Sequence, residues 1–256
     1  MFQSIVVVPC YREELRFPRE AFLEFLNRQT CVDLLFVDDG STDGTGATLA
    51  SVVAAVPRRA RVLTLPANRG KAEAVRRGIL AALDLRPTYV GYWDADLATP
   101  LPVIHEFADM LDRSPGVQLV IGARVQLLGR HIVRNGVRHY FGRAFATAAS
   151  IVLSLPVYDT QCGAKLFRVS DTCRELFERP FLSGWAFDVE ILARLTCLHR
   201  AGRVPHPAQI VVEYPLQEWT DVGESKVRPS DFARAFRDLF RIYVRYFVAR
   251  NPLGTT

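Results

Sequence analysis

The residues best suited to chemistry are Asp94 and Asp96, which are separated by one residue and follow the apolar run Tyr89–Trp93. In an extended segment residues i and i+2 point to the same side, so both carboxylates can face one point just beyond the run. Carboxylate oxygens are hard ligands that suit Mg²⁺ or Mn²⁺ shared with the phosphates of a substrate. A lone Asp-x-Asp is common by chance, but Asp38 and Asp39 follow another apolar run. The pattern predicts a divalent-cation site for a phosphorylated substrate.

Short apolar runs alternate with segments of helical period along the first half of the chain. The runs are too short for helices and nearly all apolar, as strands buried on both faces should be; they are Ile5–Val8, Leu34–Val37, Val62–Leu65, Tyr89–Trp93 and Leu119–Ala123. The helical segments are Pro18–Arg28, Thr45–Ala55, Lys71–Leu83 and Leu101–Leu111. This alternation predicts an α/β fold with a Rossmann-like, mostly parallel sheet flanked by helices. Ligands of such sheets bind beyond the carboxyl ends of the strands.

Polar loops follow the first four predicted strands. Turn and helix-cap chemistry explains a single loop of this kind equally well, but four at one edge of a sheet favour a binding site. A dinucleotide-binding dehydrogenase requires G-x-G-x-x-G after the first strand, and the turn Pro9–Glu13 contains no glycine. The sequence also lacks a P-loop, so both nucleotide-binding classes are excluded.

These loops contain the motifs Val8–Glu13, Val37–Gly44, Asn68–Lys71 and Asp94–Leu97. Together the motifs resemble those of the inverting family 2 glycosyltransferases of GT-A fold. Later motifs resemble the polyprenyl-phosphate (dolichyl-phosphate) glycosyltransferases, nearer the glucosyltransferase than the mannosyltransferase branch; they are Gly122–Arg124, Asp159–Phe167, Trp185–Glu190 and Glu224–Val227. The chain departs from some relatives at Ala98, where they place a further polar metal ligand. The resemblance implies a GT-A fold.

The resemblance also assigns roles by position. The residues that it implies for donor binding are Pro9, Tyr11, Glu13, Asp39, Lys71, Asp94, Asp96, Gln161, Trp185 and Lys226. Among them, Asp39 would accept a hydrogen bond from a uracil N–H or a ribose hydroxyl. Asp94 and Asp96 would hold Mg²⁺ or Mn²⁺ on the diphosphate, with Lys71 and Lys226 near the donor phosphates.

A basic stretch supplies the expected acceptor site. Residues 114–158 contain no acidic residue but five arginines: Arg124, Arg130, Arg134, Arg138 and Arg143. Arg130, Arg134 and Arg138 are spaced four apart and would share one face if the segment were helical. A planar guanidinium binds phosphate bidentately, and three like charges on one face favour an anionic partner over a solvated surface. The candidates for the acceptor phosphate are Arg124, Arg134 and Arg138.

A lipid phosphate monoester is already anionic, so catalysis would consist mainly of positioning and charge stabilisation. Arg124 and Arg138 would hold the acceptor, and the metal on Asp96 would stabilise the departing nucleoside diphosphate. Asp188 matches the position of the general base in family members with hydroxyl acceptors. With a phosphate acceptor it would instead bind a sugar hydroxyl or order the acceptor loop, and the structural alternative is a helix N-cap acid. The catalytic candidates are Asp96, Arg124, Arg138 and Asp188.

Composition sets the class of protein. The chain has 256 residues, 49% of them hydrophobic, and a net charge of +5, which excludes a disordered chain. The charge is modest and nucleic-acid-binding motifs are absent, so nucleic acid is not an expected partner. Five scattered cysteines indicate a reducing compartment. Without a signal peptide or an apolar run of ~20 residues, we expect a cytoplasmic protein, peripheral on the cytoplasmic face of a membrane.

The C-terminal segment shows helical spacing of apolar residues opposite a stripe of arginines. The apolar residues are Phe232, Phe236, Leu239, Phe240, Tyr243, Tyr246 and Phe247, and the basic ones Arg234, Arg237, Arg241 and Arg245. Such a helix fits a membrane interface and equally a helix packed on the sheet. We assign residues 1–229 to the GT-A domain and 230–256 to a C-terminal amphipathic basic helix and tail.

The sequence therefore favours a metal-dependent inverting glycosyltransferase that moves a hexose, best glucose from UDP-glucose, to a polyprenyl or dolichyl phosphate. Two alternatives remain open. One uses the same donor with a soluble hydroxyl acceptor, either a saccharide or a phosphorylated metabolite. The other is a non-catalytic module that binds a nucleotide sugar or an anionic membrane.

Overall fold

The computed structural model describes residues 3–28, 31–133, 136–220 and 229–249. The chain divides into two units, Met1–Val120 with Gly163–Pro180 and Ile121–Cys162 with Phe181–Thr256. None of the described helices combines the length and the hydropathy needed to cross a bilayer.

The first unit alternates strands with helices. Its elements are β1 (Ser4–Cys10), α1 (Arg19–Arg28), β2 (Val32–Asp38), α2 (Thr45–Ala55), β3 (Ala60–Thr64), α3 (Lys71–Leu83), β4 (Tyr89–Trp93), α4 (Val103–Arg113), the start of β5 (Leu119–Ala123), β7 (Ala164–Arg168) and α6 (Asp171–Glu178). The strands lie in the order β3-β2-β1-β4-β7-β5. The first four are mutually parallel, and β7 is antiparallel to β4.

Burial explains why β1, β2 and β4 form the centre of the sheet. Nearly all their residues are buried and apolar, as expected for strands with helices on both faces. Consecutive strands extend from β1 to β3 on one side, whereas β4 pairs with the other side of β1. This reversal creates a switch point between β1 and β4, the usual ligand-binding position in such sheets.

The second unit begins within β5. It continues with β6 (His131–Val133), α5 (Gly136–Leu153), α7 (Phe187–Arg200), α8 (Pro207–Ile210), β8 (Val211–Pro215), β9 (Glu218–Thr220), α9 (Pro229–Tyr243) and a π-helix (Val244–Val248). Strand β8 lies beside β5, and β6 pairs in parallel with β9. Helix α7 is buried along most of its length and forms the core of this unit.

The predicted α/β fold with a mostly parallel sheet flanked by helices is confirmed. Each strand and helix predicted in the first half is present, with ends that differ by at most two residues. The strands could be predicted from short stretches of sequence because strands buried on both faces are continuous apolar runs.

The predicted helical face of Arg130, Arg134 and Arg138 is wrong. Arg130 follows Gly129, whose φ of 81° breaks any helix, and it directly precedes β6, which pairs with β9. Helix α5 begins only at Gly136. The pairing of β6 with β9, which is more than 80 residues away in sequence, therefore overrides the helical spacing of the arginines.

The apolar residues of the C-terminal helix do not all lie on one face. Leu239 and Tyr246 are buried together with Ile242. Phe236 and Phe240 on α9 are exposed. Packing within the second unit determines which face of α9 is buried. The spacing of the apolar residues alone did not reveal this face. Helix α9 begins at Pro229, and the domain boundary between residues 229 and 230 stays a prediction.

Candidate functional site

A cleft of about 370 Å³ lies at the carboxyl ends of the parallel strands of the first unit. Its lining comes from the end of β1, from the loops that follow β1, β2, β3 and β4, and from the start of α3. The lining residues are Pro9, Cys10, Tyr11, Glu13, Arg16, Asp39, Asn68, Gly70, Lys71, Ala74, Asp94, Ala95 and Asp96. The cleft is large enough for a small-molecule ligand and lies at the switch point described above.

Asp94 directly follows β4 and is held from two sides. Its backbone N–H donates to the Gly163 carbonyl, 3.0 Å away, across the β4–β7 pair. Its Oδ1 lies 2.5 Å from Nζ of Lys71, the first residue of α3. A Cβ on residue 163 would overlap the Asp94 carboxylate, so the close approach requires glycine.

Asp96 is held within its own loop. Its Oδ1 accepts a hydrogen bond from the Ala98 N–H at 3.0 Å, and Leu97 between them has a φ of 54°. A leucine in this left-handed region is strained, a feature that clusters at functional sites. Burial raises the pKa of the Asp96 carboxyl above its usual value, and the neighbouring Asp94 carboxylate adds to the shift. Two carboxylates that disfavour each other's charge favour a bound cation.

Asp39 organises the turn that leads into α3. The side chain is buried, and its two oxygens accept the N–H groups of Arg69 at 2.8 Å and Gly70 at 2.7 Å. Gly70 has a φ of 89°, which favours glycine. Asp39 therefore fixes the position from which Lys71 reaches Asp94.

The loop after β1 contributes a charge pair. The Glu13 backbone N–H donates to the Thr45 hydroxyl at 2.8 Å, and the Glu13 carboxylate accepts two hydrogen bonds from Arg16, at 2.5 and 2.7 Å. These bonds raise the pKa of Arg16 above its usual value. Sequence reasoning missed Arg16 as a cleft residue. Its spacing of three from Glu13 was the signal that could have revealed it.

Cys10 also lines the cleft, but as a neutral thiol. Burial raises the pKa of Cys10 well above its usual value, and the carboxylates of Glu13 and Asp38 add to the shift. Because the thiolate is the nucleophilic form, Cys10 is unsuited to covalent catalysis.

The oxygen ligands available in the cleft fit a hard divalent cation. Asp94 and Asp96 supply carboxylate oxygens of the kind that Mg²⁺ and Mn²⁺ prefer. Across the described residues, groups of three or more His, Cys, Asp or Glu side chains able to hold a metal ion are absent. The residues therefore fit a cation that takes its remaining ligands from substrate phosphates and water.

Arg124 lies in the second unit, directly after β5, and is paired with Asp159. Its Nε and Nη2 donate to the two carboxylate oxygens at 2.7 and 2.8 Å, and its guanidinium lies over the Trp219 ring. The Asp159 N–H in turn donates to Glu213 of β8 at 2.7 Å. Arg124 therefore has a fixed orientation.

Gln161 belongs to the same loop as Asp159. Its backbone N–H donates to Asp159 at 3.2 Å. The Gln161 Nε2 is buried, and it makes no hydrogen bond to any residue in the described ranges. A buried donor without an acceptor is costly, so this amide is suited to a hydroxyl group of a ligand.

Trp185 and Asp188 lie at the start of α7. Trp185 is 43% exposed, and Asp188 is buried in the first turn. The interpretation of Asp188 as a helix cap is wrong, because the N-cap is Ala186. The Ser183 hydroxyl instead accepts the Ala186 N–H at 2.8 Å and donates to Asp238 of α9 at 2.8 Å.

Comparison with known proteins identifies the family of the chain. Residues 5–171 match the model of glycosyl transferase family 2, which is more than half of the chain. The chain belongs to glycosyl transferase family 2. The predicted resemblance is thereby confirmed, and the protein is a nucleotide-sugar-dependent glycosyltransferase.

Relatives of this family 2 glycosyltransferase match nearly its whole length. It is 33% identical over 258 residues to dolichyl-phosphate beta-glucosyltransferase of Dictyostelium discoideum, which covers 95% of this chain and 74% of the relative. The human protein of the same name is 31% identical over 269 residues, with 99% and 79% covered. Polyprenol monophosphomannose synthase of Mycolicibacterium smegmatis is 27% identical over 243 residues, with 91% and 84% covered.

Solved structures confirm the predicted GT-A type of fold. Glucosyl-3-phosphoglycerate synthase of M. tuberculosis superposes with a TM-score of 0.66 at 21% identity, covering 95% of this chain and 80% of that one. A second crystal structure, of that synthase with Mn²⁺ and UDP-glucose, gives the same TM-score and identity over 95% and 78%.

The structure of the glycosyltransferase brings together seven of the predicted donor-binding residues in one cleft: Pro9, Tyr11, Glu13, Asp39, Lys71, Asp94 and Asp96. Their roles toward a donor stay predictions. Gln161, Trp185, Asp188 and Arg124 lie in the second unit. Arg134 and Lys226 lie outside the described residues; Arg138 lies on α5, but its side chain is outside the described part.

Proposed function

We propose that this family 2 glycosyltransferase transfers glucose from UDP-glucose to a polyprenyl phosphate of the dolichyl phosphate type, with inversion at C1. The observation that carries the proposal is the cleft in which Asp94, Asp96 and Lys71 meet at the switch point of the sheet. The acceptor and the sugar are supported by the names of relatives that match 95–99% of the chain.

The donor would lie in this cleft. Tyr11 and Asp39 at its lining would contact the nucleoside, while Lys71 and Arg16 would offset the charge of the diphosphate. Oxygen ligands for Mg²⁺ or Mn²⁺ would come from Asp94 and Asp96. When bound, the divalent cation supplies Lewis-acid stabilisation of the leaving diphosphate. Support for Mn²⁺ and UDP-glucose comes from the ligands of the structurally similar synthase.

The transfer requires no proton acceptor. A phosphate monoester oxygen of the acceptor, already deprotonated at neutral pH, forms a bond to C1 of the glucose. The bond between C1 and the diphosphate oxygen breaks, and nucleoside diphosphate leaves with the electron pair. Displacement from the opposite face inverts the configuration. The protein contributes orientation and charge stabilisation.

Arg124 would receive the acceptor phosphate. Its guanidinium has five N–H donors in a planar fork, and two of them bind Asp159. Asp159 thus keeps the guanidinium oriented before the acceptor arrives. Arg124→Lys, which retains the charge but loses the bidentate geometry, should raise the KM for the lipid phosphate more than it changes the KM for the donor.

Asp188 separates this proposal from transfer to a soluble hydroxyl acceptor. A hydroxyl needs a general base, and the buried Asp188 carboxylate is the candidate. For a phosphate acceptor, Asp188→Asn should keep substantial turnover. Loss of nearly all turnover with donor binding intact would instead indicate a hydroxyl acceptor.

Incubation with labelled UDP-glucose, Mg²⁺ or Mn²⁺ and a short polyprenyl phosphate tests the reaction, read as label extracted into organic solvent. Asp96→Asn should abolish the labelled lipid. Asp84→Asn, a matched change at an exposed carboxylate on another loop, should not. Absence of labelled lipid with any common nucleotide sugar would contradict the proposal.

Support for contact with an anionic membrane comes from the C-terminal helix. Its exposed apolar side chains include Phe236, Phe240 and Tyr243 of α9, and they are flanked by the exposed Arg234 and Arg241. An apolar strip with basic flanks matches the interface of a bilayer that contains anionic lipid.

Vesicle co-sedimentation tests this contact. The protein should bind phosphatidylcholine vesicles that contain phosphatidylglycerol more tightly than vesicles without it, and Phe240→Asp should weaken binding. Leu85→Asp, at an exposed leucine of the first unit, should bind like the wild type. Equal binding of the Phe240 variant and the wild type would contradict the contact.

A further inference from the structure

The position of Lys71 is unusual for a lysine. It is the first residue of α3, where the positive end of the helix dipole disfavours a cation. The unfavourable position is offset by the ion pair with Asp94, whose Oδ1 is 2.5 Å from Nζ. Both side chains remain partly exposed, at 41% for Lys71 and 34% for Asp94. A pair open to solvent contributes little stability and can exchange partners.

The other charges of the cleft already have partners. Glu13 is paired with Arg16, and Asp39 accepts two backbone N–H groups. The Lys71 ammonium therefore lies at one of the two carboxylates expected to hold a divalent cation.

A divalent cation and the Lys71 ammonium compete for the same carboxylate. Two positive charges at one carboxylate repel each other, so each weakens the binding of the other. A nucleoside diphosphate removes the conflict, because its phosphate oxygens offer the ammonium a new anionic partner. We propose that Lys71 is a place-holder, which occupies Asp94 in the donor-free protein and moves to the diphosphate when a divalent cation takes its place. The inference rests on the proposed function.

The exchange has a thermodynamic consequence. Cation binding to the donor-free protein is weakened by the need to displace Lys71, whereas cation and diphosphate strengthen each other's binding. The cation and the nucleoside diphosphate are therefore expected to bind together, and a cation bound alone is disfavoured.

Mn²⁺ titrations of the donor-free protein, followed by electron paramagnetic resonance, test the place-holder. Lys71→Met should bind Mn²⁺ about two- to fivefold more tightly than the wild type, since a competing cation is removed. Lys71→Arg, which retains the charge, should stay near the wild type. Arg77→Gln removes a charge from the same helix at an exposed position away from Asp94, and it should also stay near the wild type.

The same titrations with UDP added measure the coupling. UDP should tighten Mn²⁺ binding strongly in the wild type and much less in Lys71→Met. Unchanged or weaker Mn²⁺ binding by donor-free Lys71→Met, or an equal gain in Arg77→Gln, would overturn the place-holder. If the wild type fails to bind Mn²⁺ even with UDP, the proposed function itself fails. Thermal unfolding of each variant verifies that it is folded.

Discussion

Gly163 sets the position of Asp94, and its substitution by alanine should disable the cleft. The Gly163 carbonyl accepts the Asp94 N–H at 3.0 Å, which ties the two backbones together. A Cβ on residue 163 would lie 2.6 Å from Asp94 Oδ1 and closer still to Oδ2 and Cγ, whereas real Cβ atoms keep at least 3.0 Å from other atoms. The carboxylate would have to move by about 1 Å, a displacement that can cost about 100-fold in rate.

We therefore expect Gly163→Ala to lower kcat/KM by about 100-fold in the labelled-lipid assay, and to weaken Mn²⁺ binding in the presence of UDP. Overpacking should also lower the free energy of unfolding by about 1–3 kcal/mol, measured by urea titration. Gly116→Ala is the matched control, because a Cβ there meets no atom within 4 Å. A Gly163→Ala enzyme with activity within about threefold of the wild type would refute this account of Asp94.

Three further predictions concern the pairs around the site and the core. Arg16→Gln should weaken UDP binding about five- to tenfold in calorimetry, as loss of a largely exposed charge contact would; unchanged affinity would exclude Arg16 from the donor site. Hydrogen bonds from Arg76 lower the pKa of Glu73 to about 2, so its stabilisation is present above pH 4.5 and is lost as the pH falls toward 2. Glu73→Gln should therefore lower the free energy of unfolding by about 1 kcal/mol at pH 7, after allowance for solvent screening, and by much less at pH 3; equal losses at both pH values would contradict the pairing. In the buried network of α7, burial raises the pKa of Tyr246 to about 12, so its hydroxyl donates to Glu190 at all ordinary pH values. Tyr246→Phe should cost about 1 kcal/mol in urea unfolding, and Glu190→Gln about 3 kcal/mol because it removes the carboxylate charge that offsets the buried Arg194; the reverse order would be inconsistent with this network.

The sequence was sufficient to predict where the cleft lies because the parts of the cleft are local. Each strand of the parallel sheet is an apolar run, and each cleft residue follows a strand within a few positions along the chain. Carboxyl ends of parallel strands share an edge, so Asp39 and Asp94 had to lie near each other once β1, β2 and β4 were recognised. Asp94 and Asp96 both line the cleft, but the extended backbone assumed for them is wrong. They lie in a turn in which the Leu97 N–H donates to the Asp94 carbonyl at 3.3 Å.

Contacts made across the sheet could not be predicted in this way. The role of Gly163 depends on the antiparallel register of β7 with β4, which no local pattern specifies. Lys71 could be placed near phosphates from its motif, but its pairing with Asp94 requires the turn that Asp39 holds. The pairing of Arg124 with Asp159, 35 residues away, was likewise not predicted.

The buried faces of the helices in the second unit could also not be predicted from residue spacing. The aromatic spacing of α9 allowed several faces, and the buried one is chosen by contacts such as that of Tyr246 with Glu190 on α7. Asp238 is buried on the same helix because it accepts the Ser183 hydroxyl. Such pairings depend on tertiary packing, which overrides local propensity and period.

The most direct test of the central claim is a crystal of the protein grown with Mn²⁺ and UDP, with an anomalous difference map collected for manganese. The account predicts a manganese peak at about 2.0–2.3 Å from a carboxylate oxygen of Asp96, beside Asp94, with the diphosphate as a further ligand and Lys71 moved onto the phosphates. UDP bound in the cleft with no manganese next to either aspartate, or UDP bound away from the cleft, would contradict it.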